Sequence, residues 1–391
     1  MKKGWERKTL GEVCEVQRGS SPRPIQKYTT TSEDGVNWIK IGDTKNVNKY
    51  IFETREKITK EGALKSRYVK EGDFILSNSM SLGKPFIMKT DGYIHDGWFV
   101  LRLPDYLDKD YFYYLLTSDE VQNQFTNLSA GAIVKNISGD LVKKTLLPIP
   151  PLKEQEEIVS KLDKGFELID RLKENAEKNL ENAKELFQSA LREELSPKKG
   201  WETKKLKEIG NATTGQTPPT KDKDNFGDFI PFVKPADFLN GKLDYNNDGL
   251  SEKGMKYSRI SEKGATLMVC IGATIGKTAF TEQNVTSNQQ INSIYPNKDF
   301  FPKYIYYLLI SKDFYNQVLK NASQATLPII NKSKWENLSV SFPSNIKQQE
   351  EIVTKLDKIK AMCEELEENY KKSVLLCEEL KQGLLREVFE D

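Results

Sequence analysis

The sequence predicts an α+β protein: two similar mixed α/β globular blocks joined by two long α-helices that pair as an antiparallel coiled coil, an internal repeat with pseudo-twofold character. Two observations predict it. Lys153-Glu154-Gln155-Glu156-Glu157-Ile158-Val159-Ser160-Lys161-Leu162-Asp163-Lys164 returns 194 residues later, from Lys347 to Lys358, with ten of twelve positions identical. Each copy opens a proline-free stretch with apolar residues at alternating steps of four and three. A duplicated chain carries two similar surfaces, so it can touch two places on one partner or two copies of one partner.

The helices come first because their pattern is strongest. Residues 152–194 carry the stripe Ile158, Leu162, Gly165, Ile169, Leu172, Ala176, Asn179, Ala183, Leu186, Ala190 on a surface of Glu, Lys and Asn. That is heptad spacing, and Pro197 stops the run. The second copy keeps the register through Ile352, Leu356, Ile359, Cys363, Leu366, Tyr370, Ser373, Cys377, Leu380 and Leu384. The helix-pairing residues expected are therefore Ile158, Leu162, Ile169, Leu172, Leu186, Ile352, Leu356, Ile359, Leu366, Leu380 and Leu384. Gly165 and Asn179 weaken the first stripe and mark a register device or a bend; Cys363 and Cys377 read as small core fillers. At ~1.5 Å per residue each helix is a rod of roughly 64 Å. The intervening block can return the chain, which favours an antiparallel pair and leaves a parallel one open.

The blocks before the helices mix short β-like runs, such as Phe74-Ile75-Leu76 and Thr266-Leu267-Met268-Val269-Cys270, with Gly-, Asn- and Pro-rich turns. Each holds one clear helix, Tyr111–Leu116 and Tyr304–Leu309, whose aromatics fall at core spacing. The division expected is 1–150 and 197–343 for the globular blocks, 151–196 and 344–391 for the helices. The blocks share a frame and differ in their loops: Trp38-Ile39-Lys40-Ile41-Gly42-Asp43 answers Phe232-Val233-Lys234-Pro235-Ala236-Asp237, whereas His95-Asp96-Gly97-Trp98 faces Ser287-Asn288-Gln289-Gln290. One shared job with two different readings fits that contrast.

Charge follows the same division. Lys+Arg against Asp+Glu number 23 and 19 over 1–150, 10 and 12 over 151–199, 18 and 14 over 200–343, and 8 and 12 over 344–391. Basic blocks alternate with acidic ones, and a mild basic excess suits an anionic partner. Four cysteines without a C-x-x-C pair and a single histidine, His95, argue against a disulfide framework, a zinc site or a His relay. Neither a signal-peptide apolar stretch nor a membrane-spanning run is present, so the expectation is a soluble, cytoplasmic protein.

Catalytic motifs are weak. Gly272-Ala273-Thr274-Ile275-Gly276-Lys277-Thr278 has three residues between its glycines where a phosphate-binding loop has four. Asp34, Asp43 and Lys45 loosely imitate the carboxylate–carboxylate–lysine cluster of nucleases, but Leu239 replaces the lysine in the second copy. No catalytic residue and no metal site is therefore assigned. Loop Lys and Arg suit phosphates, and Asn, Gln, Ser, Thr and Arg suit base edges. The DNA-binding candidates are Arg18, Ser20, Arg23, Lys45, Arg67, Asn78, Ser79, Lys84, Lys135 and Asn136 in the first block. In the second they are Gln216, Thr217, Lys221, Lys234, Lys277, Asn288, Gln289, Gln290, Gln324 and Lys332. A protein-binding scaffold and an unrecognised nuclease are the rival readings.

Over essentially its whole length the chain resembles the specificity subunits of type I restriction-modification systems. Gly4-Trp5 … Leu10-Gly11-Glu12-Val13 and Gly200-Trp201 … Leu206-Lys207-Glu208-Ile209 carry the likeness, with the Thr214-Gly215-Gln216-Thr217-Pro218 turn and its counterpart Arg18-Gly19-Ser20-Ser21-Pro22. Pro150-Pro151-Leu152-Lys153-Glu154-Gln155 leading into a long helix is the most specific mark; Pro343-Ser344-Asn345-Ile346-Lys347-Gln348-Gln349 departs slightly. The resemblance implies that each block is a target-recognition domain for half of a split, asymmetric double-stranded DNA site. It implies helices that set the gap between half-sites and dock two methyltransferase subunits. This non-catalytic chain would hold no cofactor itself. S-adenosylmethionine would sit on the methyltransferases, and ATP with Mg on restriction subunits where these join.

Overall fold

The computed structural model describes residues 4–45, 47–78, 82–128, 138–239, 241–323 and 327–389. The chain forms two compact units, residues 1–176 with 372–391, and residues 177–371. These units cut through both long helices, Leu152–Leu195 and Ile346–Phe389, 44 residues each.

In the first unit, strands Glu15–Arg18, Trp98–Arg102, Phe74–Ser77, Pro85–Met88 and Tyr50–Ile51 lie in that order in one sheet. A second sheet orders Thr29–Thr30, Glu56–Ile58, Val36–Ile39, Gly92–Ile94 and Arg67–Val69. Side chains alternate across a strand: Phe74, Leu76, Phe99 and Leu101 enter the core shared with the helices, while Ile75, Trp98 and Val100 join Ile39, Val69 and Ile94 of the other sheet. Both faces are covered, which is why Phe74-Ile75-Leu76 is apolar without a break.

The second unit repeats the plan with four strands per sheet. Gly210–Thr214, Ile291–Pro296, Thr266–Val269 and Thr278–Phe280 form one, and Gly249–Leu250, Phe226–Val233, Val285–Ser287 and Ile260–Ser261 the other. Met268 and Cys270 face the helix-lined core, Leu267 and Val269 the inter-sheet core. The same parallel pair marks both units: Ile94 beside Ile39, and Ser287 beside Val233.

The long helices are antiparallel within each unit. In the first, Lys161 pairs with Glu387, Asp170 with Lys381 and Lys173 with Glu378, one number rising as the other falls. Leu162 of one helix and Leu385, Val388 and Phe389 of the other enter the same core. In the second unit Glu194 pairs with Lys355, and Leu191 and Leu195 share a core with Ile352, Val353 and Leu356.

The apolar seam differs from the expected one by a rotation. Leu162, Ile169, Ala176 and Ala183 are buried at every seventh position, but the second row lies four residues on, at half-buried Phe166, Lys173, Leu180 and Phe187. The other helix does the same, with Leu356, Cys363 and Cys377 buried and Lys360, Glu367, Val374 and Lys381 half-buried. Of the residues expected to pair, Leu162, Ile169, Ile352 and Leu356 are buried, and Ile158, Ile359, Leu366 and Leu384 are half-buried. Leu172, Leu186 and Leu380 are corrected: they are 57%, 53% and 45% exposed and lie outside the seam. Lys173, Lys360, Glu367 and Lys381 can share this second row with apolar residues because their aliphatic stems cover apolar surface while their charged ends reach water or partners. Lys381 does this over the Phe166 ring, 5.6 Å from its centroid.

Two glutamines and two tyrosines fasten lobe to helix. Gln155 Oε1 accepts the backbone N–H of Asp108 at 2.8 Å while its Nε2 donates to Pro150 O at 2.9 Å. Gln349 Oε1 accepts from Phe301 N at 2.9 Å and its Nε2 donates to Pro343 O at 3.0 Å. The hydroxyls of Tyr114 and Tyr307 donate to Asp163 and Asp357, and burial together with that bond pushes both phenols up.

Candidate nucleic-acid interface

Each lobe gathers polar loops at the ends of its central strands. In the first, the stretch after Gly92–Ile94 is the hub. Asp96 O accepts Asn78 Nδ2 at 2.7 Å and Arg18 Nε at 3.2 Å, and Arg67 Nε donates to Arg18 O at 3.3 Å. Arg23 lies 3.4 Å from Asp96 Oδ2, and Ser20 N donates to Ile94 O at 3.3 Å. Arg18, Ser20, Arg23, Arg67 and Asn78 are thus brought together. Asn78 is buried, so it ties the loop rather than facing outward. Exposed Lys84 covers the Phe86 ring and reaches, at 3.3 Å, the carbonyl of Val47, two residues beyond exposed Lys45. Ser79, Lys135 and Asn136 lie outside the described residues.

In the second lobe Gln216, Thr217, Asn288, Gln289 and Gln290 converge. Gln216 N donates to Ser287 O at 2.8 Å, and Thr217 Oγ1 to Gln289 Oε1 at 2.6 Å. Asn288 is buried and exchanges bonds with Gln290 through Nδ2 at 3.0 Å and Oδ1 at 3.1 Å. Lys234 is paired to Asp248 at 2.7 Å, Lys332 to Glu336 at 3.5 Å, and Lys221 and Lys277 are exposed. Gln324 lies outside the described residues.

A close approach fixes where these loops meet. A Cβ on Gly19 would lie 2.1 Å from His95 O, and one on Gly215 would lie 2.3 Å from Asn288 O. Only glycine lets the backbones touch there.

Two sequence resemblances to catalytic motifs take structural explanations. Gly83 and Gly276, at φ 75° and 86°, end hairpin turns in which their N–H groups bond Ser77 O and Val269 O, each at 2.8 Å. Lys277 leads into strand Thr278–Phe280, not into the helix a phosphate loop requires. Asp43 accepts the N–H groups of Lys40 at 2.8 Å and Arg55 at 3.2 Å, and Asp34 faces Lys60 and Ser32. Among the described residues no group of three or more His, Cys, Asp or Glu could hold a metal ion, and no helix is long and apolar enough to cross a membrane.

The hub residues that sequence reasoning missed are His95 and Asp96. His95 is mostly enclosed, with Nδ1 2.8 Å from Gly97 N and Nε2 3.2 Å from Ile41 N. Burial holds its pKa below the usual histidine value, opposed by Asp96 and reinforced by Lys40. The Ser21 hydroxyl, chief among the causes, holds the Asp96 carboxyl below the usual carboxylate range. An acid in a basic block does not look like a DNA contact, and the sequence pairing of His95–Trp98 with Ser287–Gln290 sets Asp96 opposite Asn288; the strand registers correct this by one residue and set it opposite Gln289.

The comparisons agree with this frame. The chain is 30% identical over 198 residues to the type I restriction enzyme MjaIX specificity subunit of Methanocaldococcus jannaschii, covering 49% of this chain and 44% of that protein. It is 23% identical over 314 residues to the EcoBI specificity subunit of Escherichia coli, covering 73% and 66%. The matched stretch thus spans somewhat under half the length of the first of these curated relatives and about two thirds of the second. Among solved structures, a chain from work on complex assembly and conformational transition of the type I R-M system superposes with TM-score 0.80 at 21% identity, covering 98% of this chain and 97% of that one. The HsdS subunit from Thermoanaerobacter tengcongensis gives 0.64 at 20% identity, covering 100% and 97%. The family described as type I restriction modification DNA specificity domain matches twice, over residues 2–182 and 198–376, and the chain belongs to that family.

Proposed function

We propose that this chain is the DNA-reading subunit of a cytoplasmic type I restriction-modification assembly, each lobe taking one half of a bipartite, asymmetric double-stranded site. One observation carries the reading: two lobes of one topology bring polar loops to the same place with different residues, Arg18, Arg23, Arg67 and Asp96 in one, Gln216, Thr217, Gln289 and Gln290 in the other. Duplicated frame with divergent rim is what two related readers of unlike sequences need. Lysines such as Lys45, Lys84, Lys221 and Lys277 supply charge for phosphates.

The antiparallel helices set the spacing between half-sites. A stiff connection makes the second contact intramolecular, and one inserted base pair turns a half-site by about a tenth of a turn. The leucines they leave exposed, Leu168, Leu172, Leu375 and Leu376, suit docking of two methyltransferase subunits. S-adenosylmethionine and the methyl transfer belong to those subunits, and ATP with Mg to restriction subunits where these join.

The test is co-expression with the methyltransferase subunit and mapping of modified adenines, first for the native chain and then with residues 1–150 replaced by those of a relative. One half of the recognised sequence should change and the other persist. Unaltered recognition, or loss of both halves with the complex intact, would overturn the reading. Lys84→Ala and Lys277→Ala should each make the salt dependence of DNA binding shallower, by about one unit of slope.

A further inference from the structure

The strand registers align the two lobes residue by residue. Ile94 beside Ile39 answers Ser287 beside Val233. Counting onward, His95 corresponds to Asn288 and Asp96 to Gln289. Backbone bonds agree, Gly19 N–H to Trp98 O at 2.8 Å and Gly215 N–H to Ile291 O at 2.9 Å. Two residues beyond each glycine a hydroxyl performs the same act. Ser21 Oγ donates to Asp96 Oδ1 at 2.6 Å, and Thr217 Oγ1 donates to Gln289 Oε1 at 2.6 Å.

One clamp therefore presents a carboxylate in the first lobe and a carboxamide in the second. The loop does not need the rest of either side chain. Asp96 is tied through its carbonyl, and Gln290 O accepts Cys270 N at 2.7 Å beside Gln289. The Asp96 side chain is 44% exposed, and Gln289 is exposed.

We propose that Asp96 and Gln289 are specificity-determining residues, one per lobe, reading opposite hydrogen-bond polarity on a base edge; this rests on the DNA-reading function proposed above. A carboxylate only accepts, so Asp96 selects a major-groove edge that donates, cytosine N4 or adenine N6. With Oε1 held by Thr217, Gln289 leads with its Nε2 donors and selects an edge that accepts, guanine O6 and N7 or thymine O4. Arg23 beside Asp96 offsets the repulsion between that carboxylate and nearby phosphates.

The experiment uses the full chain assembled with its methyltransferase subunits and compares modified-site maps of the native complex, D96N and Q289E. Both substitutions keep size and clamp. D96N should shift preference at one position of one half-site by on the order of tenfold, toward a base with an acceptor there. Q289E should shift one position of the other half in the opposite sense. S21A and T217A, which keep both reading side chains, should relax those same two positions, and they decide the matter should either altered complex fail to assemble. Maps identical to the native one, or uniform weakening with every base preference kept, would overturn the proposal. A native complex that modifies no bipartite sequence is a separate outcome: it sinks the DNA-reading function, and this assignment falls with it.

Discussion

Leu384 fills the space that a side chain on Gly165 would need. A Cβ there would stand 2.7 Å from Leu384 Cδ1, so the small residue on one helix receives the large one on its antiparallel partner. The glycine thus sets register instead of marking a bend. Gly165→Ala should be nearly neutral, because a helix gains about 1 kcal/mol from that change while only the far end of a flexible side chain must move. Gly165→Leu should cost about 1–3 kcal/mol by overpacking. Chemical denaturation of Gly165→Leu, Leu384→Ala and the double variant checks this: the double should be less destabilised than the sum of the singles, and strict additivity would refute the pairing.

Gln155 and Gln349 should be the costliest polar residues of the helices. Each is almost fully buried, and its amide satisfies a backbone donor and backbone carbonyls, Pro150 and, at 3.4 Å, Tyr106 for Gln155, and Pro343 for Gln349. Truncation to Ala leaves these groups unpaired, at about 1–3 kcal/mol for each orphaned group. Hydrogen exchange should localise the damage, around Asp108 for Gln155→Ala and around Phe301 for Gln349→Ala. Loss of protection spread evenly over both units would contradict two separate latches.

The single histidine gives the first lobe an acid sensitivity that the second lacks. His95 is held neutral by burial, its folded pKa below the ordinary value near 6.5. The unfolded chain then binds the extra proton, so stability is full above about pH 6.5 and falls as pH drops toward the folded pKa. Asp96, shifted downward from an ordinary value near 3.8, acts only at lower pH. Buried Asn288 occupies the corresponding place in the second lobe and does not titrate. The melting temperature of the first unit should therefore decline as pH falls below about 6.5, and His95→Asn should flatten that decline. An equal decline in both units would show that His95 is not its source.

Much of this was legible in sequence, and the failures have physical causes. The duplicated Glu-Glu-Ile-Val phrase and its heptads gave the helices, and the apolar runs Phe74–Leu76 and Thr266–Cys270 gave strands buried on both faces. The seam was misplaced by one residue because hydrophobicity points to Leu172, Leu186 and Leu380, whereas the paired faces use Lys173, Lys360, Glu367 and Lys381, whose stems pack while their charged ends form bonds. Asp96 was passed over because an isolated acid carries no signal. Its meaning arises only when register sets it opposite Gln289 and tertiary structure brings Ser21 to it.

The misplaced leucines lead to the last prediction. Leu168 and Leu172 lie one turn apart on one helix, and Leu375, Leu376 and Leu380 form a run on the other, all 45% exposed or more. Lys173 pairs with Glu378, so the two groups crowd the same stretch of the helical pair. These leucines contribute nothing to the chain's own core. Their burial against a partner would gain about 25 cal/mol for each Å² covered. Leu172→Glu together with Leu376→Glu should leave the melting temperature of the isolated chain within about 2 °C, as surface changes do. The same pair should abolish co-purification of the methyltransferase subunit, because two charges would be buried unpaired at the interface. A complex that survives both substitutions with native stoichiometry would place the docking surface elsewhere on the chain.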